Sequence, residues 1–100
     1  MKSYLQFEEQ QKFLLRSRLI QQMGKLQINS FHDLYQKQNL IAAEKLNPNE
    51  VSTWIEISRN ALYNLQKPDA NPELDTLIKL CFLLELDCQN LFEKENVKNE

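Results

Sequence analysis

One hundred residues suffice for one domain with one core, and not for two. Hydrophobic residues make up 42% and charged residues 26%, the balance of an ordinary soluble globular chain rather than a disordered one. A net charge of −2 sets aside the strongly basic class that holds nucleic acid by charge alone, and no apolar run approaches the roughly 20 residues needed to cross a bilayer.

The opening MKSYLQFEEQQKF carries acidic residues and no compact apolar stretch before a small-residue cleavage site. It does not read as a secretory signal, and a cytoplasmic location is expected. Strand signals are weak throughout, and helical ones strong. Ser3 is placed to cap a first helix running to about Met23, with Gly24 stopping it. Leu5, Phe13, Ile20 and Met23, flanked by Leu14, Leu15 and Leu19, form a broad apolar stripe along it. Glu8, Glu9, Lys12, Arg16 and Arg18 occupy much of the remainder.

Ser30 caps the next helix, ahead of Phe31, and Asp33 supplies a negative charge to its first turn. That helix is expected to end near Lys45. Asn47-Pro48-Asn49-Glu50 reads as a restart, with Asn47 as cap, Pro48 in the first helical position and Glu50 closing a capping box. Apolar residues at Val51, Trp54, Ile55 and Ile57 would pack this helix into the core. Ser58 caps a further helix over residues 59 to 66, backed by Leu62 and Leu65. After the proline-containing QKPDANPE, Asn71 caps a strongly apolar helix carrying Leu74, Leu77, Ile78, Cys81, Phe82 and Leu84. Asp87 caps a last short turn with Leu91 and Phe92, and EKENVKNE is a polar tail. The expected fold is all-α: five compact helices and a longer N-terminal one.

Cys81 and Cys88 fall in consecutive helices. Two cysteines and His32 at no recognisable spacing do not make a zinc site, so the thiols are expected to act as small buried apolar groups. No Gly-rich phosphate loop or nucleophile motif is present, and His32 beside Asp33 points elsewhere on a helix, so neither an enzyme nor a cofactor is expected.

LNPNEVSTWIEIS, RNALYNLQK, DANPELDTLIKLCFLLELD and CQNLF follow one another over about half the chain. In that order they resemble the helix-turn-helix domain of the phage-repressor and Cro type, the XRE family. The resemblance implies a five-helix repressor-like domain over residues 28–92, with residues 1–27 as an N-terminal helical extension and 93–100 as a tail. It further implies double-stranded DNA as the partner and a transcription regulator as the function. The helix starting at Ser58 would be the recognition helix, presenting Arg59, Asn60, Tyr63, Asn64 and Lys67 with no carboxylate among them. Arg can pair with guanine and Asn with adenine in the major groove, while Tyr can reach a phosphate or a thymine methyl. Asn47, Asn49, Thr53 and Ser58 would hold phosphates near helix starts.

The chain also departs from the family pattern. Glu56 stands where the family turn carries Gly, which predicts a strained or reshaped turn. Arg59 and Lys67 are opposed by Glu50 and Glu56 over residues 46–68, so one copy should bind DNA weakly. A homodimer is expected to compensate, with Leu5, Phe13, Ile20 and Met23 of the first helix at its interface. The same helix offers a surface for a protein partner, as in an adaptor or an antitoxin-type regulator.

Overall fold

The computed structural model describes residues 3–91. Among these residues it contains helices, turns and loops and no strand. Four α-helices follow in order: α1 (Tyr4–Lys25), α2 (Phe31–Lys45), α3 (Arg59–Asn64) and α4 (Leu74–Leu84), with single 3-10 turns at Val51–Thr53 and Cys88–Asn90. Phe92 and the expected tail 93–100 lie outside the described residues.

Three serines open three of the helices. The Ser3 hydroxyl accepts the Gln6 N–H at 3.1 Å while the Gln6 side chain accepts the Ser3 N–H at 3.1 Å, a reciprocal pair that satisfies two otherwise orphan donors. Ser30 accepts the Asp33 N–H at 3.0 Å, and Ser58 the Ala61 N–H at 3.1 Å. Gly24 does not stop α1. The helix runs on to Lys25, and the left-handed residue that releases the chain is Gln27, at φ 61°, with the Ile28 N–H returning to the Met23 carbonyl at 2.8 Å. Glu85 ends α4 in the same way, at φ 60°. Its carboxylate meets Lys45 of α2 at 2.6 Å. α4 begins two residues later than Asn71-Pro72 suggests, because Glu73 is itself still extended.

The core is built from all four helices. Leu15, Leu19 and Met23 of α1 are buried with Phe31, Leu34 and Ala42 of α2, Leu62 of α3, and Leu80, Leu83 and Leu84 of α4. Met23, expected at an interface with another molecule, is therefore a core residue, 3% exposed. The C-terminal half of α1 packs as part of the core, and the Gln22 side chain donates to the Leu84 carbonyl at 2.8 Å. Cys81 is buried as expected, but Cys88 is exposed.

The largest departure lies between α2 and α3. Asn47 to Ser58 does not form an anchoring helix. The chain turns at Asn47–Glu50, makes one 3-10 turn and runs without regular secondary structure from Trp54 to Ser58, extended at both of those residues. Two local bonds close the turn: Glu50 accepts the Asn47 N–H at 3.2 Å, and the Thr53 hydroxyl donates to the Glu50 carbonyl at 2.6 Å. β-Branched residues at 51, 53, 55 and 57 suit an extended backbone better than a helix. Val51 and Ile55, assigned to the core by their helical spacing, are exposed, and Ile57 alone of the three is buried. With this stretch and the last turn accounted for as 3-10 and irregular chain, four α-helices stand where six were expected.

Candidate nucleic-acid interface

α3 has six residues, a rod of about 9 Å. Propensity alone does not hold so short a helix, so its position depends on what clamps it. At the leading end, Gln38 of α2 is fully buried, and its side-chain oxygen accepts the Ile57 N–H at 2.7 Å while its amide donates to the Ile57 carbonyl at 2.8 Å. One residue on, Ser58 caps α3. Along its back, Leu62 and Leu65 are 0% and 1% exposed. At the trailing end, Arg16 of α1 donates to the Lys67 and Pro68 carbonyls at 3.4 and 3.3 Å.

These restraints leave Arg59, Asn60 and Asn64 of α3 exposed, and because the helix ends at Asn64 rather than at the expected residue 66, Lys67 is exposed in the bend that follows it. Together these four supply two cations and two amides and no carboxylate. Tyr63 is half-buried and already engaged. Its hydroxyl lies 2.6 Å from His32 Nδ1, and the Arg59 guanidinium sits over its ring, 5.0 Å from the centroid. Tyr63 therefore positions Arg59 rather than presenting a free hydroxyl. His32, which has no sequence signal linking it to a residue 31 positions away, joins the site as the group that fixes Tyr63. A shallow depression of about 400 Å³ flanks α3, lined by Asn64 and Lys67 together with Asp69 and Glu73. Those two carboxylates would repel an anion there.

The remaining sequence candidates are dispersed. Asn47, Asn49 and Thr53 lie on the excursion between α2 and α3, not at the start of an anchoring helix, so no helix terminus there gathers phosphate-holding groups. Glu56 causes no strained turn. Positive φ among the described non-glycine residues occurs at Gln27 and Glu85 only, and the Glu56 carboxylate accepts from Asn39 Nδ2 at 2.8 Å. Asn39 in turn accepts the Trp54 indole N–H at 3.0 Å, which pins the excursion to α2. Trp54 is half-buried, with Phe82 at 6.1 Å between ring centroids and Lys79 over its face.

Leu5, Phe13 and Ile20 stand exposed on α1. Among the described residues no three His, Cys, Asp or Glu side chains gather as a metal site, and no helix is long and apolar enough to cross a membrane. Cys81 and Cys88 place their sulfurs 3.0 Å apart, and burial, with the neighbouring thiol second, pushes the Cys81 thiol up to about 12. Compared with family models, curated proteins and solved structures, the chain matches none of them.

Proposed function

We propose that the chain is a sequence-specific double-stranded DNA-binding transcription regulator of the repressor/Cro type, acting in the cytoplasm as a dimer. In this reading α3 enters the major groove and α2, rather than residues 47–57, is the helix that backs it. The observation that carries the reading is the outer side of α3, where Arg59, Asn60 and Asn64 are exposed with Lys67 just past the helix end, while Leu62 and Leu65 pin the opposite side. A base-reading helix needs this division: fixed behind, and furnished in front with side chains that pair bidentately with guanine and adenine. Ser58, whose hydroxyl is spent on its cap, contributes by starting the helix. A helix of about 9 Å reads only a few base pairs, so two copies are needed for a site of useful length.

Selection from a random-duplex library at two salt concentrations tests the reading. A pseudo-palindromic site should be enriched, and Arg59→Ala/Asn64→Ala should weaken binding to it by about 1–3 kcal/mol for each bidentate base pairing removed. The low net charge predicts a shallow dependence of binding on salt. If no sequence is enriched even at low salt, α3 is not a reader. A second reading, a protein-binding adaptor or antitoxin-type regulator, is favoured by the exposed Leu5, Phe13 and Ile20 of α1. An adaptor loses its partner on Phe13→Ala or Ile20→Ala and tolerates the α3 changes.

A further inference from the structure

Helix α1 keeps five large apolar side chains in solvent, Tyr4, Leu5, Phe7, Phe13 and Ile20, of which Leu5 (67% exposed), Phe13 (59%) and Ile20 (55%) recur along one side. At 3.6 residues per turn, residues 5, 9, 13, 16 and 20 fall within about 80° of arc, so Leu5, Glu9, Phe13, Arg16 and Ile20 share one stripe. It runs apolar, acid, aromatic, base, apolar. Read from either end, it is complementary to itself. An antiparallel second copy centred between Lys12 and Phe13 sets Leu5 against Ile20 and Glu9 against Arg16, with the two Phe13 rings beside the axis. A parallel copy in register would set Glu9 on Glu9 and Arg16 on Arg16.

Glu9 is exposed, and Arg16 is half-buried. Glu8 is paired with Lys12 at 3.5 Å, but Glu9 has no cationic partner among the described residues. Arg16 donates through Nη1 to two carbonyls and has no carboxylate partner there. We propose that this stripe of α1 is the interface with a second copy of the chain, the two α1 helices lying antiparallel across a two-fold axis near residues 12 and 13. A two-fold interface must be self-complementary, since each residue meets its counterpart's partner twice; a surface for an unrelated protein carries no such requirement. One helix pair covers less than the roughly 800 Å² per partner of a standard interface, so the dimer is concentration-dependent. The inference deepens the dimer half of the proposed function; because Arg16 also holds the Lys67 and Pro68 carbonyls, Arg16→Glu loosens the end of α3 as well, whereas Glu9→Arg and Leu5→Glu leave that contact in place.

Sedimentation equilibrium of the full chain over a wide concentration range, without DNA, tests it, with circular dichroism confirming equal helicity of each variant. The wild type should dimerise. Glu9→Arg and Arg16→Glu each turn both symmetry-related pairs repulsive and should weaken the dimer by about tenfold or more. Glu9→Arg/Arg16→Glu restores both pairs in the antiparallel arrangement alone and should recover most of the affinity. Leu5→Glu, at an exposed site remote from the Arg16 bonds, should weaken the dimer without touching the fold. A monomeric wild type, a dimer indifferent to the single changes, or a double variant no better than either single one overturns the proposal. The DNA reading fails separately: a dimer that selects no duplex sequence leaves this interface standing, and a monomer that selects one does not.

Discussion

The side-chain amide of Gln38 closes on both backbone polar groups of Ile57, accepting its N–H at 2.7 Å and donating to its carbonyl at 2.8 Å, with glutamine 0% and isoleucine 3% exposed. A buried residue outside helix and sheet has no ladder to satisfy it, and here one side chain bonds both its N–H and its carbonyl. The result is a fixed point from which α3 starts one residue later. Gln38→Leu keeps the volume but orphans a buried donor and a buried acceptor. It should cost about 2–6 kcal/mol in urea unfolding, at roughly 1–3 kcal/mol per unsatisfied group. A loss below about 0.5 kcal/mol would show that water replaces the amide and that the clamp is dispensable.

α1 has a core half and a solvent half, and the two should respond differently to truncation. Leu19 is 0% exposed and Leu5 67%. Leu19→Ala should destabilise by about 2–5 kcal/mol through the transfer energy of the missing atoms and the cavity left behind. Leu5→Ala should stay within about 0.5 kcal/mol when measured at concentrations where the chain is monomeric. Equal effects at both sites would remove α1 from the core.

Asp33 links stability to acid pH. The Asn29 N–H, bonded to its carboxylate at 2.9 Å, and then Lys37 at 3.0 Å hold its pKa below the ordinary 3.8. The folded state therefore binds this proton later than the unfolded chain as pH falls. Its stabilising contribution is complete above 3.8 and is lost as the pH drops through the lower folded value. The stability gap between wild type and Asp33→Asn should accordingly be present at pH 6 and shrink at pH 3. A gap that is constant with pH would assign the difference to something other than the charge.

The two thiols should react unequally although their sulfurs lie 3.0 Å apart. Cys81 is buried and its thiol is pushed up to about 12, so at pH 8 it is protonated and covered, while Cys88 is exposed. Brief alkylation of the folded protein at pH 8 should label Cys88 alone, and both residues after unfolding in urea. Peptide mapping that finds Cys81 labelled first in the folded chain would contradict this arrangement.

Much of the helical framework was legible from residue order because its causes are local. Ser3, Ser30 and Ser58 each have an acceptor oxygen within reach of an N–H three residues on, and all three cap as their positions suggest. Leu62 and Leu65 occupy the buried side of α3 as their spacing implies. The stretch 47–57 misled for a physical reason. Val51, Trp54 and Ile55 have the period of a helix face, but the β-branched Val51, Thr53, Ile55 and Ile57 favour extended chain, and pattern alone cannot arbitrate over so short a run. Hydrogen bonds from α2 decided it: Asn39 takes the Trp54 indole and the Glu56 carboxylate, and Gln38 takes the Ile57 backbone.

The candidate site divides in the same way. Arg59, Asn60 and Asn64 could be read off one helix because side-chain direction along a helix follows from sequence position, whereas Lys67, expected at the end of the same helix, lies beyond it. That Tyr63 is occupied by His32, that Arg59 lies over its ring, and that Arg16 closes the far end of α3 could not, since these pairs are brought together by the packing of α1 and α2 against α3. By itself the sequence determined an all-helical framework for the described residues, the caps at Ser3, Ser30 and Ser58 and the polar residues on the outer side of α3, because each depends on neighbours within about one helical turn. The caps expected at Asn47 and Asn71 did not form. Only the tertiary structure decided which helix backs α3, which apolar residues are core and which remain in solvent, because those outcomes rest on burial and on hydrogen bonds between residues far apart in the chain.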